Sequence, residues 1–491
     1  MGKRQSCSID NDDERTRLSR RAPQACKPDD SRPAKLIGAF DRYREVVSET
    51  VVAQMLQGRP AFSREGRLSA WVVIWLMIFQ RLHVKGTLAV AVRELLVGSV
   101  RRFVPRAEVK PAQRLSASTS AYSQARSRLP LDVVEKVSDL IFESLQQEPK
   151  ILPGLEKPMF LLDGSSIQLQ HTKELVTDYP PQSNQFAVSH WPILRVLVAH
   201  DVVSGLAVRP CWGAMSGAGA VSEQRLAKQI MGRLPAGCGV MGDRNFGVFS
   251  MAYHASQQNY ACLFRLTESR ARKLNGGATP NAKTDKAIRW LSSREDRRNN
   301  PELADQSSVE GRLVVCKIRG VGGKPQKLYF FTTLALPTER ILEVYGYRWN
   351  IETDLRSLKQ EVRLHMLDAK SKAMVEKELV LAVAAYNLTR ATMNQAASAL
   401  QLNPRQFSYS LAQDTIHAFL PAFANATTDQ QRQELMQEML SVFKQSRLPN
   451  RSNRPSYPRA IWPRSSSFPK RKLAKKRPSP AKRTITKKGV A

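Results

Sequence analysis

The sequence predicts an α/β protein: a mixed sheet covered by helices, preceded by an all-α unit and followed by a basic tail. Three observations carry that expectation. From about residue 34 to 147 the apolar residues recur with helical spacing. From 158 to 333 short apolar runs bounded by Gly, Pro or Asp alternate with amphipathic stretches. Beyond about 448 the chain turns to Pro, Ser, Lys and Arg.

The elements follow in order. Residues 1–33 are polar and charged and read as a disordered arm. Helices are expected at Tyr43–Leu56, Leu68–Leu82, Leu88–Leu96, Ser118–Arg128 and Leu131–Leu145, giving a helical domain over 34–150. Basic residues punctuate it, among them Arg81, Lys85, Arg93, Arg101, Arg102, Arg126 and Arg128. The Ser118–Arg128 helix presents Tyr122, Gln124, Arg126 and Arg128. It reads equally as a helix-turn-helix-like DNA contact or as a solvated bundle face. Strands are then expected at Pro158–Asp163, Ile193–His200, Leu206–Arg209, Gly239–Asp243 and Tyr260–Leu266. Helices at Glu223–Leu234 and Phe249–Gln258 lie between them. After a polar, basic stretch at about 270–310, Arg312–Ile318 and Lys327–Thr333 read as strands, followed by a long helix carrying Glu352 and another at Val375–Leu400. This order matches a ribonuclease-H-like layout over 151–400, with a β-rich insertion at about 268–335. A helical segment at 401–447 and a disordered tail at 448–491 complete the expected organisation.

Charge narrows the partner. The chain has 491 residues and a formal charge of +33. Residues 451–491 hold fourteen Lys/Arg and no Asp/Glu, which leaves +19 on the remainder. An excess spread over body and tail favours a polyanion, nucleic acid above all, over a merely basic surface. The tail cluster 469–477 suits polyanion binding without sequence preference. Six scattered cysteines without a Cys-x-x-Cys pair indicate neither a zinc site nor a disulfide framework and fit a reducing cytoplasm. The N-terminus lacks an apolar core of a signal peptide. The longest apolar run, Trp71–Phe79, is too short to span a bilayer, so no membrane role is expected.

The chemistry-bearing stretch is Tyr345–Lys359. On one helix, Tyr345, Arg348, Glu352 and Lys359 fall within about 60° of one another. Val344, Ile351, Leu355, Leu358 and Val362 form an apolar stripe beside them. One carboxylate between two cations at the edge of a core suits phosphate chemistry. Asp163 and Asp243 each end an expected strand, and the two strands are expected to be neighbours. With Glu352 they supply the hard oxygen ligands that two Mg²⁺ ions take for an in-line phosphoryl displacement.

The spacing Tyr-x2-Arg-x3-Glu-x6-Lys, matched by Tyr345, Arg348, Glu352 and Lys359, resembles the signature of the bacterial insertion-sequence transposases of family four, a DDE-type cut-and-paste group. Tyr347-Arg-Trp-Asn-Ile-Glu352, Leu162-Asp-Gly-Ser-Ser166, Gly242-Asp-Arg-Asn-Phe-Gly247 and Ala121–Pro130 resemble that group as well, and the likeness spans about Arg67 to Asn394. The resemblance implies a ribonuclease-H-like catalytic domain with an insertion between the second Asp and the Glu, which here lie 109 positions apart. It implies that Asp163, Asp243 and Glu352 are catalytic and bind Mg²⁺, as the pair of ions above, replaceable by Mn²⁺. Tyr345, Arg348 and Lys359 then contact DNA phosphates, with Arg244 beside them. Trp290 is a candidate for stacking on a flipped base, against the plainer reading of a core tryptophan. The implied partners are double-stranded DNA, at terminal inverted repeats and target, and a second copy in a synaptic dimer; the expected setting is the bacterial cytoplasm and nucleoid. Two other readings stay open: a silent DNA-binding protein on the same scaffold, and a ribonuclease-H-like repair nuclease.

Overall fold

The computed structural model describes residues 38–448, apart from 60–67, 84, 99, 101–115, 148–150, 184–187, 320–324 and 366. The expected arm and basic tail, Arg101, Arg102, Cys7 and Cys26 lie outside the described residues.

Six helices come first: α1 Ala39–Val46, α2 Glu49–Met55, α3 Ala70–Leu82, α4 Leu88–Val97, α5 Ser120–Arg128 and α6 Leu131–Leu145. The single helix expected over Tyr43–Leu56 is two. Ser48 accepts a hydrogen bond from the Val51 amide and so starts a new helix. Trp71–Phe79 lies inside α3, which is buried on every side in the protein core. No helix among the described residues is long and apolar enough to cross a membrane.

The sheet region runs β1 Met159–Gln168, α7 Lys173–Asp178, β2 Ile193–Asp201, β3 Cys211–Ala214, α8 Glu223–Met231, β4 Gly239–Gly242, α9 Phe249–Gln257, β5 Ala261–Leu266, α10 Glu268–Leu274, β6 Asp285–Leu291, α11 Arg294–Asn299, β7 Ser308–Arg319 and β8 Pro325–Thr332. These eight strands form one sheet in the order β3-β2-β1-β4-β5-β8-β7-β6. β1, β2 and β3 are antiparallel neighbours, whereas β1, β4 and β5 run parallel. One expectation needs correction here. Leu206–Arg209 is not a strand: Ala207 makes one isolated bridge to His200, and Pro210, without an N–H, ends any ladder before β3. The polar stretch at 270–310, inside the expected β-rich insertion, carries a strand that its sequence does not single out. This is β6, whose exposed alternation of charged residues hid its strand character.

The insertion strands β6–β8 continue the main sheet, because β8 pairs antiparallel with β5 from Leu263–Thr332 to Leu266–Tyr329. The chain then forms α12 Thr338–Gly346, α13 Trp349–Arg356, a π-turn at Ser357–Glu361, and the helices α14 Lys372–Ala399, α15 Tyr409–Asn425 and α16 Asp429–Gln445.

Strand alternation divides the core into two layers. Met159, Leu161, Ile167, Met241 and Leu263 face a layer shared with α1–α6 and α12–α16. Phe160, Leu162, Val240 and Phe264 face the other, filled from α8 and α9. The helices before β1 and after β8 thus share one continuous core, organised on α14. Buried polar contacts tie them together: Glu378 of α14 pairs with Arg81 at 2.7 Å and with Arg126 at 2.5 Å, and Lys377 donates to the Arg126 and Ser127 carbonyls. The four described cysteines are free and buried, and burial pushes the Cys238 and Cys262 thiols up to about 12.

Candidate active site

Asp163 and Asp243 are brought together by register. Leu161 of β1 pairs with Met241 of parallel β4. Each aspartate lies two residues further on, so alternation turns both toward the α12–α14 face. Contrary to expectation, Asp163 does not end its strand; β1 continues to Gln168 along β2. What ends there is the pairing with β4, which turns away at Asp243.

That turn explains the Gly242-Asp-Arg-Asn-Phe-Gly247 motif. The Asp243 carboxylate accepts from the Asn245 amide at 2.8 Å, and its carbonyl accepts from the Phe246 amide at 3.1 Å. The Phe246 ring is buried. A Cβ on Gly247 would come within 2.0 Å of the Arg265 carbonyl oxygen, so only glycine lets the loop lie on β5.

Burial raises the Asp163 carboxyl to about 6. The Gly164 amide, 2.9 Å from its oxygen, opposes the rise; Asp243 adds to it, Arg348 lowers it, and Glu223 adds again. A proton held partly by a neighbouring carboxylate is one a cation can displace, so Asp163 with Asp243 fits a divalent metal ion. Glu352 stands apart. Its carboxylate accepts from Arg348 at 3.2 Å across one helical turn and is 38% exposed. Among the described residues no three His, Cys, Asp or Glu side chains form a group placed to hold a metal.

The helix expected to run unbroken through Tyr345–Lys359 tightens and loosens along its length. Between α12 and α13 the amides of Tyr347, Arg348, Asn350 and Ile351 bond three residues back rather than four. The extra turning carries Tyr345 off the polar stripe and into the core, 6% exposed, with its ring 4.7 Å from Phe330. Burial raises its phenol, while Arg348 and Arg265 beside the hydroxyl oppose that. Arg348 and Glu352 keep their helical spacing and pair. At the other end the Val362 amide bonds five residues back to Ser357. This π-turn carries half-buried Lys359, whose ammonium is lowered by burial and held up by Asp163, which it faces.

Four other expected site residues fare differently. Arg244 is exposed directly after Asp243, and its carbonyl accepts from Arg270 at 2.9 Å. Arg128 is exposed on α5. Arg126 is not available to DNA: it is buried in the ion pair with Glu378. Nor is Trp290, 8% exposed and packed edge-on against Phe249 and Phe331 at 5.9 and 5.0 Å. β6 alternates, and Trp290 falls on its inward side, so the plainer core reading holds. Trp349, beside Arg348, is instead 58% exposed.

Residues outside the signature support the site. Asp354, fully buried two positions after Glu352, is paired with Arg390 of α14 and with Arg405, whose second bond is 2.9 Å. Burial alone would raise this carboxyl; Arg405 and Arg390 outweigh it and keep it below the usual range. Arg390 also donates to the Tyr386 hydroxyl at 2.8 Å. This network fixes α13 against α14. Glu223 and Arg265 likewise reach the site from α8 and β5. Spacing gave no signal for them, because each contacts the site only through the sheet.

Two neighbouring carboxylates on one face of a mixed sheet, with a helix carrying a third carboxylate and cations packed on that face, make an arrangement that suits phosphoryl transfer. Residues 154–388 match the family model of the transposase DDE domain. The transposase InsG of insertion sequence element IS4 from Escherichia coli (strain K12) is 23% identical over 419 residues, covering 83% of this chain and 88% of that protein. The chain is therefore a DDE transposase, an enzyme of divalent-metal-dependent phosphoryl transfer on DNA. Within that class it is similar to the transposase of the IS4 element along most of its length.

Proposed function

We propose that the protein moves its own insertion sequence by cut-and-paste transposition: it binds the terminal inverted repeats, cleaves the DNA strands and joins the freed 3′-hydroxyls to target DNA. The observation that carries this is the Asp163–Asp243 pair, set side by side by the β1–β4 register and facing Lys359 and Arg348. The antiparallel β1–β2–β3 group continued by parallel β4 and β5 supports a ribonuclease-H-like catalytic domain. Asp163 and Asp243 would hold Mg²⁺, with Mn²⁺ as a substitute; the metal would activate the attacking water or hydroxyl and stabilise the leaving oxygen.

Arg348 and Lys359 bind phosphates flanking the cleaved bond as charge-assisted donors. Tyr345, buried, orients Arg348 rather than meeting the backbone itself. Arg348 has two partners to choose between. When it turns to a phosphate it releases Glu352, which then joins the two aspartates. Arg244 and Arg128, both exposed, add backbone contacts. The protein works on DNA in the bacterial cytoplasm, as a dimer once two ends are paired.

The test is strand cleavage in Mg²⁺ of DNA taken from either side of the coding region. Changing Asp163, Asp243 or Glu352 to Ala abolishes cleavage and leaves DNA binding within a few-fold of wild type. Cleavage retained by any of the three refutes its assignment.

A further inference from the structure

We infer that Glu223 is a positioning residue of the transposase site, bracing the Asp243 turn from behind β1. The inference rests on the reading of Asp243 as a site residue. Beyond the Leu161–Met241 pair, β1 and β4 no longer bond to each other, and the turn carrying Asp243 needs another anchor. α8 supplies it. The Asn245 side-chain amide donates to the Glu223 carboxylate at 2.5 Å, and the Gln224 amide donates to the Asn245 carbonyl at 2.8 Å. Asn245 is also the residue whose backbone amide the Asp243 carboxylate accepts. Glu223 therefore acts on Asp243 through one intervening residue.

The strand makes room for this brace. A Cβ on Gly164 would lie 2.6 Å from the Glu223 carboxyl carbon. The Glu223 carboxylate thus occupies the place of a side chain at position 164. Successive strand residues point to opposite faces, so that place lies on the far side of β1 from the Asp163 carboxylate. From there Glu223 fixes the turn and does not share a ligand with Asp163. Ser222 caps α8 by accepting from the Arg225 amide at 3.1 Å, and Glu223 is the first helical residue, where a carboxylate is favoured by the helix dipole.

The experiment is Mg²⁺-dependent nicking of a supercoiled plasmid carrying the DNA that flanks the coding region, with full-length protein carrying Glu223→Ala, Glu223→Gln or Asn245→Ala. Asp243→Ala is run beside them. Glu223→Ala and Asn245→Ala should each slow nicking about 30- to 100-fold, the scale of a displaced catalytic group, with DNA affinity and melting temperature unchanged. The double variant should be no slower than either single, because both break one contact. Glu223→Gln, whose amide oxygen still accepts from Asn245, should stay within about threefold of wild type. Wild-type nicking by Glu223→Ala overturns the proposal. So does Glu223→Gln as slow as Glu223→Ala, since the charge and not the hydrogen bond would then matter. Nicking by Asp243→Ala would instead remove the site reading on which the proposal rests.

Discussion

Asp163 sets the proton balance of the site. Its carboxyl, held up to about 6, binds its proton more tightly folded than unfolded. A raised carboxylate makes the metal-free protein lose stability as pH climbs from about 4 to 6, by about 3 kcal/mol if nothing else titrates. Asp163→Asn should remove that loss and raise the melting temperature at pH 7 but not at pH 4; Mg²⁺ should recover much of the loss in the wild type only. An equal effect of Asp163→Asn at both pH values would place the carboxyl outside the pair. Single residues were only partly legible in the sequence. The spacing of Arg348, Glu352 and Lys359 on a polar stripe was readable. Tyr345 was misplaced because the tightened turn after Gly346 adds rotation that a uniform 100° per residue omits. The DNA-contact readings of Arg126 and Trp290 fall, and the plainer readings set beside them hold, because basic and aromatic residues look alike in sequence whether they meet DNA, a buried Glu378 or a Phe331 edge.

At the scale of elements, α13 is held by a buried ion network as much as by its apolar face. Asp354→Asn leaves Arg390 and Arg405 without their shared carboxylate and should cost about 3–5 kcal/mol, read from urea unfolding. A loss below about 1 kcal/mol would mean that packing alone places α13. β6 gives a matching test. Trp290→Ala should cost about 3–5 kcal/mol as a core truncation and leave the DNA affinity of the protein that remains folded unchanged. Lost DNA affinity without lost stability would return Trp290 to the DNA. Helices and apolar strands were legible because periodicity reports burial directly. β6 was not, since its outward residues are charged and its inward ones few, and β3 was displaced by the proline before it.

For the whole molecule, charge is the governing quantity. With +33 overall, DNA affinity should fall steeply and linearly in log–log form as salt rises from about 50 to 200 mM. A nearly flat dependence would contradict a phosphate-bound interface. The broad plan, helices then a mixed sheet then a charged tail, was readable from composition and period. The sharing of one core by the helices before β1 and after β8 was not, because contacts such as Arg81 and Arg126 with Glu378 join positions some 250 to 300 residues apart.

The central claim is that Asp163, Asp243 and Glu352 act on one metal-bound phosphate. It is tested most directly by changing each in turn to Cys and measuring strand cleavage in Mg²⁺ and in Mn²⁺. A thiolate is a poor ligand for Mg²⁺ and a better one for Mn²⁺. Inactivity of all three variants in Mg²⁺, with partial recovery in Mn²⁺, is the result predicted. Wild-type cleavage in Mg²⁺ by any one of them would contradict the claim.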